Sequence, residues 1–289
     1  MIREITIVGG THGNESIGPA LLKKFEQCHP FACSSIPVST FLANPAAVTA
    51  GRRFIDEDLN RSFSDDILAS PVSPVYEHDR AREINEQLGP KPNPERFLID
   101  LHSTTANMGM TLIVKNDKPF NLKAAAYIQQ HCPDVRIIMS DVDRRFGRTL
   151  NSLCDHGLTV EVGPIANAVV RHDLFAETEA VVARAVEYLN FLAGHEPGLL
   201  PSTVEVFRVR ERVPYPRNAT GNLEGMVHQG LQDRDFELLE PGQPVFHMLD
   251  GRDVVYEGQP GYPIFINEAA YYREDTAFVL TERLSLPLT

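Results

Sequence analysis

No apolar run in the 289 residues approaches the roughly 18 needed to cross a bilayer, so no membrane span is expected. Basic charge is in short supply: 27 lysines and arginines stand against 39 acids, for a net charge of −12. A field of that sign repels phosphate backbones and anionic lipid, so neither nucleic acid nor membrane is expected as a partner. Cysteine is scarce too. Cys28, Cys33, Cys132 and Cys154 form no CxxC pair and no zinc-ribbon spacing, which speaks for reduced thiols rather than a secreted disulfide framework. Met1 leads straight to Ile5–Val8 with no charged segment and long apolar stretch, so no signal peptide is expected and a cytoplasmic location is. Internal repeats and low-complexity segments are also missing from the sequence. What is there is a globular composition, 43% hydrophobic and 23% charged, long enough to bury a core without staples.

Strand and helix signals alternate over the first two thirds. Ile5–Val8 reads as a buried strand meeting a tight turn at Gly9-Gly10, and a helical pattern with Leu21, Leu22 and Phe25 follows. Ile36–Leu42, Phe97–His102, Met110–Val114, Val135–Met139 and Gly157–Pro164 read as strands. Residues 77–88, 121–131 and 173–193 read as helices, the last with a stripe of Leu174, Val181, Val182, Ala185, Leu189 and Leu192 broken by Thr178. That order predicts an α/β layer fold with a largely parallel sheet. Gly194–Gly198 reads as a linker. Beyond it, short runs (Val204–Val209, Pro244–Met248, Val254–Tyr256) are separated by turn signals such as Pro241-Gly242 and Asp250-Gly251, the pattern of a small all-β unit. The division expected is 1–195 for an α/β domain and 196–289 for a β-rich C-terminal domain.

Three clusters carry chemistry. In Gly9-Gly10-Thr11-His12-Gly13-Asn14-Glu15, the His-x-x-Glu step can bring an imidazole and a carboxylate to one ion if the glycines turn the backbone tightly. His102, at the end of its strand, can supply a third donor, with Asp100 on the same strand face as its hydrogen-bonding partner. The same step also reads as a polar first turn of a helix. Arg52–Arg61 crowds three arginines, Asn60 and three acids into ten residues, which suits carboxylate binding by arginine's planar fork or simply a solvated loop. Glu161 shares a strand face with Thr159 and Gly163, opposite Leu158, Val160 and Val162; that face is either solvent or the floor of a cleft where a carboxylate serves as general base.

Taken together, the segments Gly9–Glu15, Asp58-Leu59-Asn60-Arg61, Asp100–Gly109, Val160–Pro164 and Asn267–Tyr272 resemble one family, the aspartoacylase and aminoacylase 3 branch of the zinc carboxypeptidase-like fold. The resemblance runs in order through nearly the whole chain. It implies a mixed sheet flanked by helices and a smaller β-rich C-terminal domain contributing to the active-site cleft. It implies His12, Glu15 and His102 as ligands of one Zn²⁺ per subunit, although the same ligands also suit Co²⁺ or Mn²⁺. Glu161 falls on the glutamate that takes a proton from the attacking water, and Arg53 on the arginine that polarises the scissile carbonyl. Asn60, Arg61 and Tyr271 fall on substrate-carboxylate positions. Aspartoacylases hold a second carboxylate with an arginine shortly before the catalytic glutamate; here Asn151 stands there, with Arg148 three residues earlier, and both are candidate substrate contacts. A family lysine after the Tyr-Tyr pair is replaced near Glu274 and Asp275, with Arg273 adjacent. The tail, with Leu231–Phe236 and Tyr256–Gly258, is more similar to aminoacylase 3.

The implied activity is a zinc-dependent amidohydrolase that deacetylates N-acyl amino acids, N-acetylaspartate or a related N-acetyl amino acid giving acetate and the free amino acid. The alternatives are an aminoacylase 3-like hydrolase of neutral or aromatic N-acetyl amino acids, a hydrolase of peptide C-termini or esters, and a metal-free binding protein on the same fold. A homo-oligomer, dimer or larger, is implied by the family.

Overall fold

Ile5, Ile7 and Val8, wholly buried, explain why β1 (Glu4–Gly9) lies inside a sheet rather than at its rim. In the computed structural model, which describes residues 1–115, 118–140, 147–194 and 200–288, β1 pairs in parallel with neighbours on both sides. The chain continues through α1 (Ile17–Cys28), β2 (Val38–Leu42), α2 (Pro45–Ala50), α3 (Asp65–Ala69) and α4 (Tyr76–Leu88). Then come β3 (Asn93–Ser103), β4 (Gly109–Val114), α5 (Pro119–His131), β5 (Arg136–Met139), β6 (Cys154–Gly163) and α6 (His172–Gly194). The remainder supplies β7 (Thr203–Val213), β8 (Gly225–Val227), β9 (Pro244–Met248), β10 (Asp253–Val255), β11 (Tyr262–Ile264) and β12 (Phe278–Pro287). Nine strands form one sheet in the order β11-β12-β7-β5-β4-β6-β3-β1-β2, and β10-β9-β8 form a second.

The large sheet is mixed. β1, β2, β3 and β6 run parallel, β4 is antiparallel to β6, and β7, β12 and β11 are joined by antiparallel pairs. Both faces are covered, as a sheet with parallel strands requires. Ile5, Ile7, Phe97, Ile99, Leu101, Leu158, Val160 and Val162 share a core with α1, α5 and α6. Val8 and Leu98 join Leu59, Phe63, Ala81, Ile84, Leu88, Leu150 and Leu153 on the other face. The alternation read for β6 therefore holds, and it leaves Thr159 and Glu161 on the face away from α5 and α6.

The large sheet passes from the first two thirds into the last third without a break, because β7 pairs in parallel with β5. A third core (Tyr215, Val245, Phe246, Ile266, Phe278, Leu280) belongs to the C-terminal part, and a fourth (Ala106, Met108, Ile138, Phe207, Ile264, Phe265, Val279) packs it against the loop that follows β3. Thr178, which breaks the stripe of α6, is buried and donates its hydroxyl to Leu174 O at 2.7 Å, so the break is satisfied within the helix. Leu192 departs from its expected buried place: it is exposed, and Phe191 takes the inward position with its ring 6.0 Å from Tyr127. The expected linker, apart from the backbone of Gly194, lies outside the described residues. Among the described residues no helix is long and apolar enough to cross a membrane.

Candidate active site

The turn after β1 is shaped by glycine. Gly10 has φ +69°, and a Cβ on Gly13 would sit 2.0 Å from the carbonyl carbon of Ala47. Only a chain without side chains there can fold back so tightly, and the fold-back points His12 and Glu15 inward. His102 reaches the same point from the end of β3. His12, Glu15 and His102 are all buried, and one donor atom from each lies within 4.8 Å of the others. His12 Nδ1 is 2.6 Å from Glu15 Oε1, and His102 Nδ1 is 2.9 Å from Glu15 Oε2 and 3.2 Å from His12 Nδ1.

The outer ring nitrogens are each claimed by a carboxylate. His12 Nε2 lies 2.9 Å from Asp58 Oδ1, and His102 Nε2 lies 2.9 Å from Asp100 Oδ2, whose other oxygen accepts from the Thr11 hydroxyl at 2.8 Å. If both Nε2 atoms donate to these acids, both Nδ1 lone pairs face each other and the Glu15 carboxylate. Three electron-rich atoms converging in a buried space fit a cation between them, and imidazole–carboxylate pairs of this kind orient metal-binding histidines. The donor set of two histidines and a glutamate fits zinc. Charges follow the same geometry. Burial opposes it, but His12 and His102 hold the Glu15 carboxyl well below its usual range. Burial likewise works against His102, whose pKa the Asp100 and Glu15 carboxylates nonetheless carry well above the usual value.

Arg53 is fixed beside this centre. Its guanidinium donates to Glu15 Oε1 at 3.1 Å and to Asp58 Oδ2 at 3.2 and 3.3 Å. The loop that carries it is no solvated charged loop: the buried Glu77 of α4 accepts from the backbone N–H groups of Ile55, Asp56 and Glu57 at 2.7, 3.0 and 3.1 Å. Asp58 caps the 3₁₀ turn Leu59–Arg61 by accepting from Asn60 N at 2.8 Å. Glu161 is paired in register with His102 across β3 and β6, so both side chains stand on one face. Burial, opposed by His102 and reinforced by the Glu15 and Glu268 carboxylates, pushes its pKa up to about 8. A carboxyl poised there can both take and return a proton near neutrality.

These groups border a cavity of about 100 Å³, several times the space that one water needs. It is lined by His12, Glu15, His102, Arg53, Glu161, Asn60, Arg61 and Tyr271, which the sequence reading had named. Asn60 accepts from Leu150 N at 2.9 Å through its amide oxygen. Tyr271 is carried by the 3₁₀ helix Ala269–Glu274, and burial, opposed by Arg61 and Arg212, pushes its phenol up to about 12. Two candidates do not line the cavity. Arg148 is exposed, and Asn151 is buried one layer behind, donating to the hydroxyl of the lining residue Thr159 at 2.8 Å. The side chain of Arg273 lies outside the described residues.

Other residues of the site were not named from sequence. Asp58 stands in the Asp58-Leu59-Asn60-Arg61 motif, which by itself discloses neither its contact with His12 nor that with Arg53. Arg212 of β7 lines the cavity, with its guanidinium 5.2 Å from the Tyr271 ring centre. Glu268 is buried and gathers the loop after β3: its Oε2 accepts from Thr105 N at 2.8 Å, Thr105 Oγ1 at 2.9 Å, Ala106 N at 3.1 Å and the Thr104 hydroxyl. Its Oε1 accepts from Ala270 N at 3.0 Å, so one carboxylate ties the loop beyond His102 to the turn that bears Tyr271.

A buried His-Glu-His donor set, an anchored arginine and the buried carboxyl of Glu161 around one cavity, on a mixed α/β sheet with a β-rich flank, define a metal-site hydrolase. Comparison with known proteins narrows the class. Residues 1–189 match the model of the succinylglutamate desuccinylase/aspartoacylase catalytic domain, and residues 202–283 match the AstE/AspA barrel-sandwich hybrid domain. A probable aspartoacylase of Acaryochloris marina is 42% identical over 99% of this chain and 98% of its own. A human N-acyl-aromatic-L-amino acid amidohydrolase (carboxylate-forming) is 38% identical over 98% of this chain and 92% of its own. The crystal structure of murine aminoacylase 3 superposes with a TM-score of 0.91 at 39% identity, covering 99% of this chain and 97% of that one. The chain belongs to the succinylglutamate desuccinylase/aspartoacylase family, and within it is an amidohydrolase with a His-Glu-His metal-ligand group.

Proposed function

We propose that the chain is a zinc-dependent hydrolase that removes the acyl group, acetyl foremost, from N-acyl amino acids. The observation that carries this reading is the cavity itself: a metal-ligand triad and a base on one wall, and Arg61, Asn60 and Tyr271 on another. Zn²⁺ held by His12, Glu15 and His102 would supply Lewis-acid polarisation of the scissile carbonyl and a more acidic water.

The chain's own residues do the rest. Glu161 takes the proton of the attacking water and returns it to the leaving amine. Arg53, anchored by Asp58 and Glu15, is a preset donor to the oxyanion as the carbonyl becomes tetrahedral. Arg61, with Asn60 and Tyr271, holds the α-carboxylate; the Arg61 Nε is buried without a partner among the described residues, a donor in want of an anion. Residues 1–195 would then act as the catalytic domain, and 196–289 as the domain that completes the cavity through Tyr271. The names of the relatives divide between aspartoacylase and aromatic aminoacylase, so they support the reaction and leave the side-chain preference to this chain's own residues.

The test is a panel of N-acetyl amino acids, dipeptides and carboxylic esters, assayed by kcat/KM on the metal-loaded protein. N-acetyl amino acids should be cleaved and their carboxamide analogues, which lack the α-carboxylate, should not. Better cleavage of dipeptides or esters would overturn the reading.

A further inference from the structure

A second cavity, of about 460 Å³, shares no lining residue with the first. That volume falls in the usual range of small-molecule sites, roughly 300 to 1,000 Å³. Its walls are apolar at Met108, Met110, Val135 and Val181, all buried, and at the half-buried Phe236. Among the described residues, the charges that line it are three acids, Asp134, Glu177 and Asp235, against one cation, Arg136. Arg136 Nη1 donates to Asp134 O at 3.0 Å, and the guanidinium lies 6.0 Å from the Phe236 ring centre. Asp134 and Glu177 are exposed, whereas Asp235 is only 8% exposed. Its Oδ1 accepts from Ile266 N at 3.1 Å, and the N–H groups of Asp235 itself and of Asn107 also favour its charge. Its Oδ2 is buried with no hydrogen-bond partner among the described residues. A buried acceptor left unmet is costly, and native proteins seldom keep one without a use.

We propose that this cavity is a second ligand site, which takes a protonated organic amine with an apolar body. The ammonium sits on the Asp235 carboxylate, and the body lies against Met110, Val181 and Phe236. The excess of acids over Arg136 selects a cation and disfavours an anion. An ammonium supplies the charge-assisted donor that the unmet carboxylate oxygen lacks. Burial, with Asp233 adding to it, pushes the Asp235 carboxyl up to about 7, and a cation beside it favours the ionised form again. A metal ion would need more donors, and the described residues gather three only at His12, Glu15 and His102. The apolar walls also suit a hydrocarbon body better than a hydrated ion. None of this depends on the first cavity being hydrolytic.

The experiment titrates 2-phenylethylamine into the full chain at pH 8 by calorimetry, with 2-phenylethanol as the uncharged control. The amine should bind saturably at one site per chain, and the alcohol roughly tenfold or more weakly. Asp235→Asn keeps the shape and removes the charge, so it should weaken amine binding by about tenfold to a hundredfold and leave the alcohol unchanged. Ala180→Phe, at an exposed residue of α6 that also lines the cavity, should weaken both by filling it. His12→Ala, in the first cavity, should bind the amine as wild type does. No saturable binding in wild type overturns the proposal, as does equal binding of amine and alcohol. Binding that survives both Asp235→Asn and Ala180→Phe but is lost in His12→Ala would put the amine in the first cavity and overturn it too.

Discussion

Asp58→Asn is the most informative single change in the site, because Asp58 serves two neighbours at once. One oxygen orients His12 through Nε2 at 2.9 Å, and the other receives the Arg53 guanidinium at 3.2 and 3.3 Å. Burial works against its charge, yet His12 and then Arg53 and Arg61 hold the Asp58 carboxyl well below its usual range. Asparagine keeps the shape and removes the charge. Loss of a carboxylate partner behind a ligating histidine typically weakens metal binding tenfold to a hundredfold, about 1.4 to 2.7 kcal/mol. Asp100→Asn is the matched control: Asp100 backs His102 at the same 2.9 Å, while the acids that hold Arg53 are Glu15 and Asp58. Both variants should lose metal affinity to a similar degree in a titration against a chelating indicator. Only Asp58→Asn should also lower kcat at saturating metal, by roughly tenfold, since Arg53 then keeps Glu15 alone as its anchor. Wild-type metal affinity in Asp58→Asn, or an equal drop in saturated kcat for Asp100→Asn, would refute the reasoning.

Glu161→Gln should keep the fold and the metal and lower kcat by about 10² to 10⁴, the usual range for loss of a general base; near-normal turnover would move proton transfer to another group. Glu77→Ala should cost about 2 to 4 kcal/mol in urea unfolding, because three backbone N–H groups and the Asn44 amide lose their acceptor. Unchanged stability would show that water replaces Glu77 at no cost. Burial pushes the Asp235 carboxyl up to about 7, against the opposing hydrogen bond from Ile266 N. Because the unfolded chain ionises first, Asp235 costs stability progressively between about pH 4 and 7, to at most about 4 kcal/mol. Asp235→Asn should thus be stabilising at pH 8 and near neutral at pH 4 by thermal unfolding, and a pH-independent difference would contradict this.

The His-Glu-His set was legible only through the ordered motifs that resemble one family; a histidine and glutamate between glycines at a strand end, with a second histidine ending another strand, by themselves left a polar first turn of a helix open. The period-2 alternation around Glu161 was readable, and the cavity, not open solvent, lies on its polar face. What the sequence did not disclose depends on long-range placement. Glu77 looks like any exposed helix acid until the Arg53 loop folds over it. Arg212 is one of several arginines along β7, and only the strand order decides which of them reaches the cavity. Glu268 stands in a motif whose reading stressed Tyr271, although its carboxylate is what joins that turn to the loop beyond His102. Arg148 runs the other way: a charge in a suggestive place along the chain whose side chain stands exposed and outside the cavity lining.

The central claim is that His12, Glu15 and His102 hold one metal ion without which no amide is cleaved. It is tested most directly by stripping the protein with a chelator and titrating Zn²⁺ back while following acetate release from an N-acetyl amino acid. The expected result is no turnover at zero metal, a linear rise to a plateau at one ion per chain, and no recovery in His12→Ala. Full turnover in the stripped protein, or full recovery in His12→Ala, would contradict the account.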